Sequence, residues 1–198
     1  VSSPPALPIF PLNTVLFPGG LLPLRVFEAR YMDMARECLR TGAPFGVCLI
    51  REGREVGEAA VPQDIGCAAH IIECDMQQLG VLTLKCRGGD RFRILERAVT
   101  PQGLVRAAVE WLEPEEDAAI PPNLMGCVKL LRIVAADERF PAFATEPRYE
   151  SASWVGHRVS EILPIPLRVK QQLLELDASL PRLQILQDFL EKHGLLSK

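Results

Sequence analysis

Apolar residues keep two rhythms along this chain, and the switch between them constrains the fold more than any other feature. Through residue 112 they come in short runs that alternate with polar residues. From residue 124 they return every three or four positions. The first rhythm is that of strands and the second that of helices. Between them lies "EPEEDAAIPPN" (113–123), acidic and broken by prolines. The sequence therefore predicts a β-rich part over 1–112, a connection over 113–123 and a helical part over 124–198. A length of 198 residues suits either one large domain or two small ones.

Within the first part, "LPIFPL" is short and interrupted by Pro8 and Pro11, which predicts an edge strand. "PGG" at 18–20 marks a turn. In "LLPLRVF", Leu22, Leu24 and Val26 alternate with Pro23 and Arg25, as in a half-buried strand. The period then changes once. Tyr31, Met34, Ala35, Cys38 and Leu39 share one face of a helix, and Gly42 is placed to stop it. "PFGVCLI" (44–50), "IGCAAHIIECD" (65–75) and "LVRAAVEWL" (104–112) read as further strands, and "REGREVGE" as a charged turn. "GVLTLKCRGGDRFRILER" (80–97) reads as a hairpin turning at Gly88-Gly89-Asp90. Strands at this spacing with one early helix point to a mixed barrel or sandwich.

Four helices are expected in the second part, packed together and against the β part. Leu124, Val128, Leu131 and Val134 share a face. Val155, Val159, Ile162 and Leu163 form another. Pro166 suits the first turn of a third helix. Leu183, Leu186 and Leu190 line the last, with Ile185 and Phe189 widening the stripe and Gly194 ending it.

Charge balance weighs against nucleic acid as the main partner. Residues 1–112 carry 12 basic and 12 acidic side chains and residues 113–198 carry 10 and 13, so neither part is a basic nucleic-acid module. No apolar run nears the ~20 residues of a membrane span. "VSSPPALPIF" lacks the basic and long apolar regions of a signal peptide. Six cysteines, most within apolar runs, fit buried thiols rather than a disulfide framework. A reduced, cytoplasmic protein is expected.

"LPIFPLNTVLFPGGLLPLRVFEARY", "FGVCLI", "EVGEAAVPQDIGCAAHIIECD" and "LTLKCRGGDRFRIL", taken in order, resemble the N-terminal substrate-binding domain of Lon proteases. The likeness is strongest to the free-standing bacterial proteins made of that domain and a helical tail. It follows the family's order over residues 7–112, and "VSEILPIPLRVKQQLLELDASLPRLQIL" resembles the helical part. The resemblance implies an α+β fold: a PUA-like β-barrel with one early helix, followed by a C-terminal helical bundle. It also implies binding of polypeptide. It does not imply proteolysis, because Lon's ATPase and peptidase modules lie elsewhere in its chain. These 198 residues contain no G-x-x-x-x-G-K-[ST].

Candidate chemistry is sparse. Cys67, His70 and Cys74 have a metal-like spacing. On a strand, however, Cys67 points away from His70, and His70 to Cys74 spans ~13 Å, too far for one zinc ion. His157 and Ser160 are helical neighbours with no nucleophile elbow or oxyanion loop around them. Glu28 and Arg30, two apart, do not face each other on a helix, so each is expected to pair locally or with the barrel. No catalytic residue, metal ligand or cofactor is assigned. Two groups remain as candidate partner-binding residues. Lys85, Arg87, Arg91 and Arg93 would line one face of the hairpin. Phe140 and Phe143, with Tyr149 and Trp154, border an irregular stretch over 136–154, where they either grip a peptide or pack down.

The leading expectation is a non-catalytic module that holds unfolded or extended polypeptide, through apolar contact and backbone pairing at an exposed edge of the first strand. RNA binding through the basic 85–93 hairpin is the alternative. A regulatory small-molecule domain is a third reading, and an enzyme the weakest.

Overall fold

A computed structural model describes residues 6–140, 143 and 145–195. The chain divides between Glu113 and Pro114 into two compact units.

Among the described residues the first unit holds seven strands and one helix. The strands are β1 (Leu7–Leu12), β2 (Leu21–Val26), β3 (Phe45–Glu52), β4 (Val61–Pro62), β5 (Ile65–Gln78), β6 (Val81–Val99) and β7 (Val105–Trp111), with α1 (Ala29–Thr41) after β2. The order β1-β7-β6-β5-β3 closes on itself through a β1–β3 pairing, so the sheet is a barrel-like ring. β4 extends the flank of β3, and β2 extends the flank of β6.

β1 is not an edge. It runs parallel to β3 (Ile9 opposite Gly46, Leu12 opposite Leu49) and antiparallel to β7 (Leu7 opposite Ala107, Ile9 opposite Val105). Its prolines are tolerated because each stands where only one flank is laddered: Pro8 faces only β7 and Pro11 only β3. Successive residues point to opposite faces. Ile9 joins a cluster with Leu7, Cys48, Phe92, Val105 and Ala107. Phe10 joins a larger one on the other face, which includes Tyr31, Met34, Ala35 and Cys38 of α1. A strand buried on both faces reads as an unbroken apolar run, as "LPIFPL" does.

The expected hairpin at 88–90 is absent. β6 continues through Gly88-Gly89-Asp90 for 19 residues. On one flank it pairs β2 through residues 82–87 and β7 through residues 92–99, while β5 covers the other. The glycines serve close approach rather than turning. A Cβ on Gly88 would lie 2.1 Å from the Phe17 carbonyl oxygen, and one on Gly89 would lie 2.7 Å from His70 Nε2.

The real turn is "FPGG". Gly20 N–H donates to the Phe17 carbonyl at 2.9 Å, with Pro18 and left-handed Gly19 (φ 73°) at the centre, as a type II turn requires. Gly19 N–H then donates to the Gly88 carbonyl, and Gly88 N–H donates to the Gly20 carbonyl, both at 2.8 Å. This glycine bulge launches β2 along β6.

α1 buries the expected face except Leu39, which is 48% exposed. Gly42 ends it in the left-handed region, its N–H donating to the Cys38 carbonyl.

The second unit has a 3₁₀ turn (Pro122–Leu124) and helices α2 (Met125–Ala135), α3 (Ala152–Ile162), α4 (Leu167–Glu175) and α5 (Ser179–Lys192). Leu183, Leu186 and Leu190 of α5 are buried, as are Val155 and Val159 of α3 and Val128 and Leu131 of α2, whereas Ile185 lies largely outside the core. Ser151 caps α3 by accepting the Trp154 N–H, and Pro166 occupies the N-cap of α4. Residues 114–119, within the expected connection, belong to this unit. Ala119 bridges Ser151, and Glu115 enters the interior.

Candidate functional site

Besides the two-residue β4, one strand has a single neighbour among the described residues. Among the described residues β2 pairs β6 alone, from Leu21 opposite Arg87 to Val26 opposite Leu82. Beside it lies a cleft of about 520 Å³ lined by Leu21–Glu28 together with Phe10, Leu12, Thr14, Tyr31, Glu55 and Val56. Phe10, Leu12 and Tyr31 are also core residues, so the cleft reaches the apolar cluster that the sheet shares with α1. Phe10 and Tyr31 stack there with ring centroids 3.8 Å apart. Phe27 and Val56 are 55% and 57% exposed, giving the cleft an apolar rim.

Two tethers fix the loop carrying Glu55 and Val56. The Asn13 N–H donates to the Glu55 carboxylate. Arg30 donates to the Gly57 carbonyl at 2.7 Å, and also to the Gly103 carbonyl at 2.7 Å and the Glu28 carboxylate at 2.9 Å. The local pairing expected of Glu28 and Arg30 is with each other. Glu28 is the extended N-cap of α1, outside the helix, so a spacing of two brings it within reach.

The basic residues take other places. Lys85, Arg87, Arg91 and Arg93 lie along one strand, so no turn gathers them. Lys85 pairs Glu73 at 2.9 Å, Arg93 pairs Glu110 at 3.3 Å, and Arg91 is buried. Phe143 and Tyr149 both meet Trp154 edge-on, at 5.1 and 5.6 Å, and the Arg132 guanidinium lies over Tyr149. These rings pack onto α3, whereas Phe140 is 47% exposed.

Cys67, His70 and Cys74 lie along β5, respectively buried, half-buried and exposed. Among the described residues no cluster of His, Cys, Asp and Glu is placed to hold a metal ion. The Ser160 hydroxyl donates to the Gly156 carbonyl at 2.7 Å, and His157 Nε2 lies 3.5 Å from Glu115 Oε1. The two side chains thus serve the interior of the helical unit.

The model of the ATP-dependent protease La (LON) substrate-binding domain matches residues 6–192. The chain belongs to this Lon domain family. A Lon N-terminal domain protein from Xanthomonas campestris is 38% identical, with a TM-score of 0.76 over 91% of this chain and 96% of that one. The N-terminal domain of a Mycobacterium avium complex Lon protease shares the fold at a TM-score of 0.65 and 18% identity. Lon protease of Anaeromyxobacter dehalogenans is 28% identical over 198 residues, which cover 96% of this chain and 23% of that protein. The chain thus spans about a quarter of the length of the curated relatives it matches. These 198 residues hold the Lon substrate-binding domain and no ATPase or peptidase module. Among the described residues no helix is long and apolar enough to cross a membrane.

Sequence reasoning missed the cleft and placed the open edge on the wrong strand. The usable signal was the difference between "LPIFPL", apolar throughout, and "LLPLRV", which alternates and exposes Pro23 and Arg25.

Proposed function

We propose that this chain is a non-catalytic module that binds unfolded or extended polypeptide, and that the cleft beside β2 is where it does so. The single observation behind this is an open cleft whose lining includes the core residues Phe10, Leu12 and Tyr31, with exposed Phe27 and Val56 at its rim. Its volume, about 520 Å³, falls within the range of sites that bury a ligand's apolar groups. Membership of the Lon substrate-binding family supports the same reading. The RNA alternative rested on a basic hairpin, and that hairpin is replaced by a strand with Lys85 and Arg93 in ion pairs.

The test is fluorescence anisotropy with a labelled, permanently unfolded protein such as reduced, carboxymethylated lactalbumin. Val56→Glu, which puts a charge on the exposed rim, is expected to weaken binding about tenfold, the scale of one lost apolar contact. Raising the salt is expected to change the affinity little. Binding indifferent to Val56→Glu, or no binding, defeats the proposal. A steep decline with salt returns the question to the cations.

A further inference from the structure

Resting on that reading, we infer that the bound polypeptide joins the barrel as an added strand on the outer flank of β2, in a register set by Pro23.

The direction of each β2 backbone group follows from the bulge. The Gly20 carbonyl accepts the Gly88 N–H, so Gly20 faces β6. Backbone direction alternates along a strand, and Leu21–Val26 keep an unshifted register against Arg87–Leu82. Leu22, Leu24 and Val26 therefore turn their N–H and C=O groups toward β6. Leu21, Pro23 and Arg25 turn theirs outward, into the cleft they line. This is where a proline in a strand belongs, since its missing N–H then breaks no ladder bond. The outer flank thus offers three acceptors, the carbonyls of Leu21, Pro23 and Arg25, but only two donors, the N–H groups of Leu21 and Arg25.

Six residues of strand extend ~20 Å, which only an extended chain can match with repeating backbone bonds. The gap at Pro23 leaves one carbonyl of the guest without a donor, so the guest residue there can donate but not accept. The same gap blunts pairing of this edge with another copy of itself. Side chains of an added strand share faces with those of β2. Guest residues on the face of Leu22, Leu24 and Val26 meet the apolar lining, and those on the face of Pro23 and Arg25 meet water. The preferred guest is a segment with apolar residues at alternate positions.

Amide hydrogen exchange followed by NMR on the whole chain tests this, with and without carboxymethylated lactalbumin. Without guest, the Leu22, Leu24 and Val26 amides are expected to be protected and those of Leu21 and Arg25 to exchange freely. With guest, Leu21 and Arg25 are expected to slow at least tenfold. Pro23→Ala restores the missing donor and is expected to tighten binding about two- to tenfold, the worth of one backbone hydrogen bond. Binding that remains sensitive to Val56→Glu while those amides stay unprotected, or while Pro23→Ala brings no gain, overturns strand addition and leaves the cleft reading standing. Absence of binding overturns both.

Discussion

Arg182 has no exposed side-chain surface, and its guanidinium meets both carboxylate oxygens of buried Glu115 at 2.7 Å. It also donates to the carbonyls of Leu173 at 2.9 Å and Leu176 at 2.6 Å, tying α5 to the end of α4. Removing one partner strands the other charge inside the unit. Arg182→Met is therefore expected to cost about 3–5 kcal/mol in urea unfolding followed by Trp154 fluorescence. Nothing in the sequence marks this pair. Glu115 stands in an acidic run that resembles solvated linker, and Arg182 beside Pro181 resembles any first-turn cation. Their partnership exists only once residues far apart in sequence are brought together. Glu161 makes a second, pH-dependent case. Burial pushes its carboxyl from the ordinary 4.5 up to about 7, against the pull of Arg158 and Lys170. The folded state thus favours the protonated form, and the resulting stabilisation is full below about 4.5 and lost as pH rises through about 7. Glu161→Gln removes this dependence. Wild-type stability minus that of the variant is expected to fall by ~3 kcal/mol from pH 4 to pH 8 in urea titrations.

β6 is one continuous strand where its sequence looks like two. Gly-Gly-Asp between two alternating runs satisfies every local rule for a hairpin, and local rules cannot see that the Phe17–Gly20 turn lies against Gly88. Gly88→Ala would press a methyl against the Phe17 carbonyl oxygen at 2.1 Å, backbone that has to move. It is expected to cost about 3 kcal/mol or more in equilibrium unfolding. Gly42→Ala meets no atom within 4 Å and bears only its left-handed backbone (φ 73°), for ~1–2 kcal/mol. Equal losses in the two variants would contradict the close-approach account. The positions of β1, β2, β3, β5 and β7, of α1 and of all four later helices were legible, because each carries its own period, whereas β6 reads as two strands. Pairing was not legible. Whether a strand has one neighbour or two depends on the ring's closure, and so an open edge was expected on β1, which pairs on both flanks, whereas β2 pairs β6 alone among the described residues.

At the scale of the whole molecule, the two tryptophans fall one to each unit. Trp111 packs edge-on against Phe92, and Trp154 holds the aromatic group on α3. Each therefore reports on the unfolding of its own unit. Five of the six cysteines are buried and only Cys74 is exposed. Burial pushes the Cys38 thiol up to about 11 and those of Cys86 and Cys127 up to about 12, far from the reactive thiolate. A disulfide reagent at pH 8 is expected to titrate one thiol quickly and the other five only after denaturant is added. Two or more fast thiols in the native protein would contradict this packing.

The ring is closed by its first strand, and Ile9 must wait for Val105, almost the length of the unit away. During synthesis Ile9 and Phe10 leave the ribosome long before the strand that will cover them has been translated. A newborn copy thus carries its own first strand as bare apolar chain until the covering strand emerges.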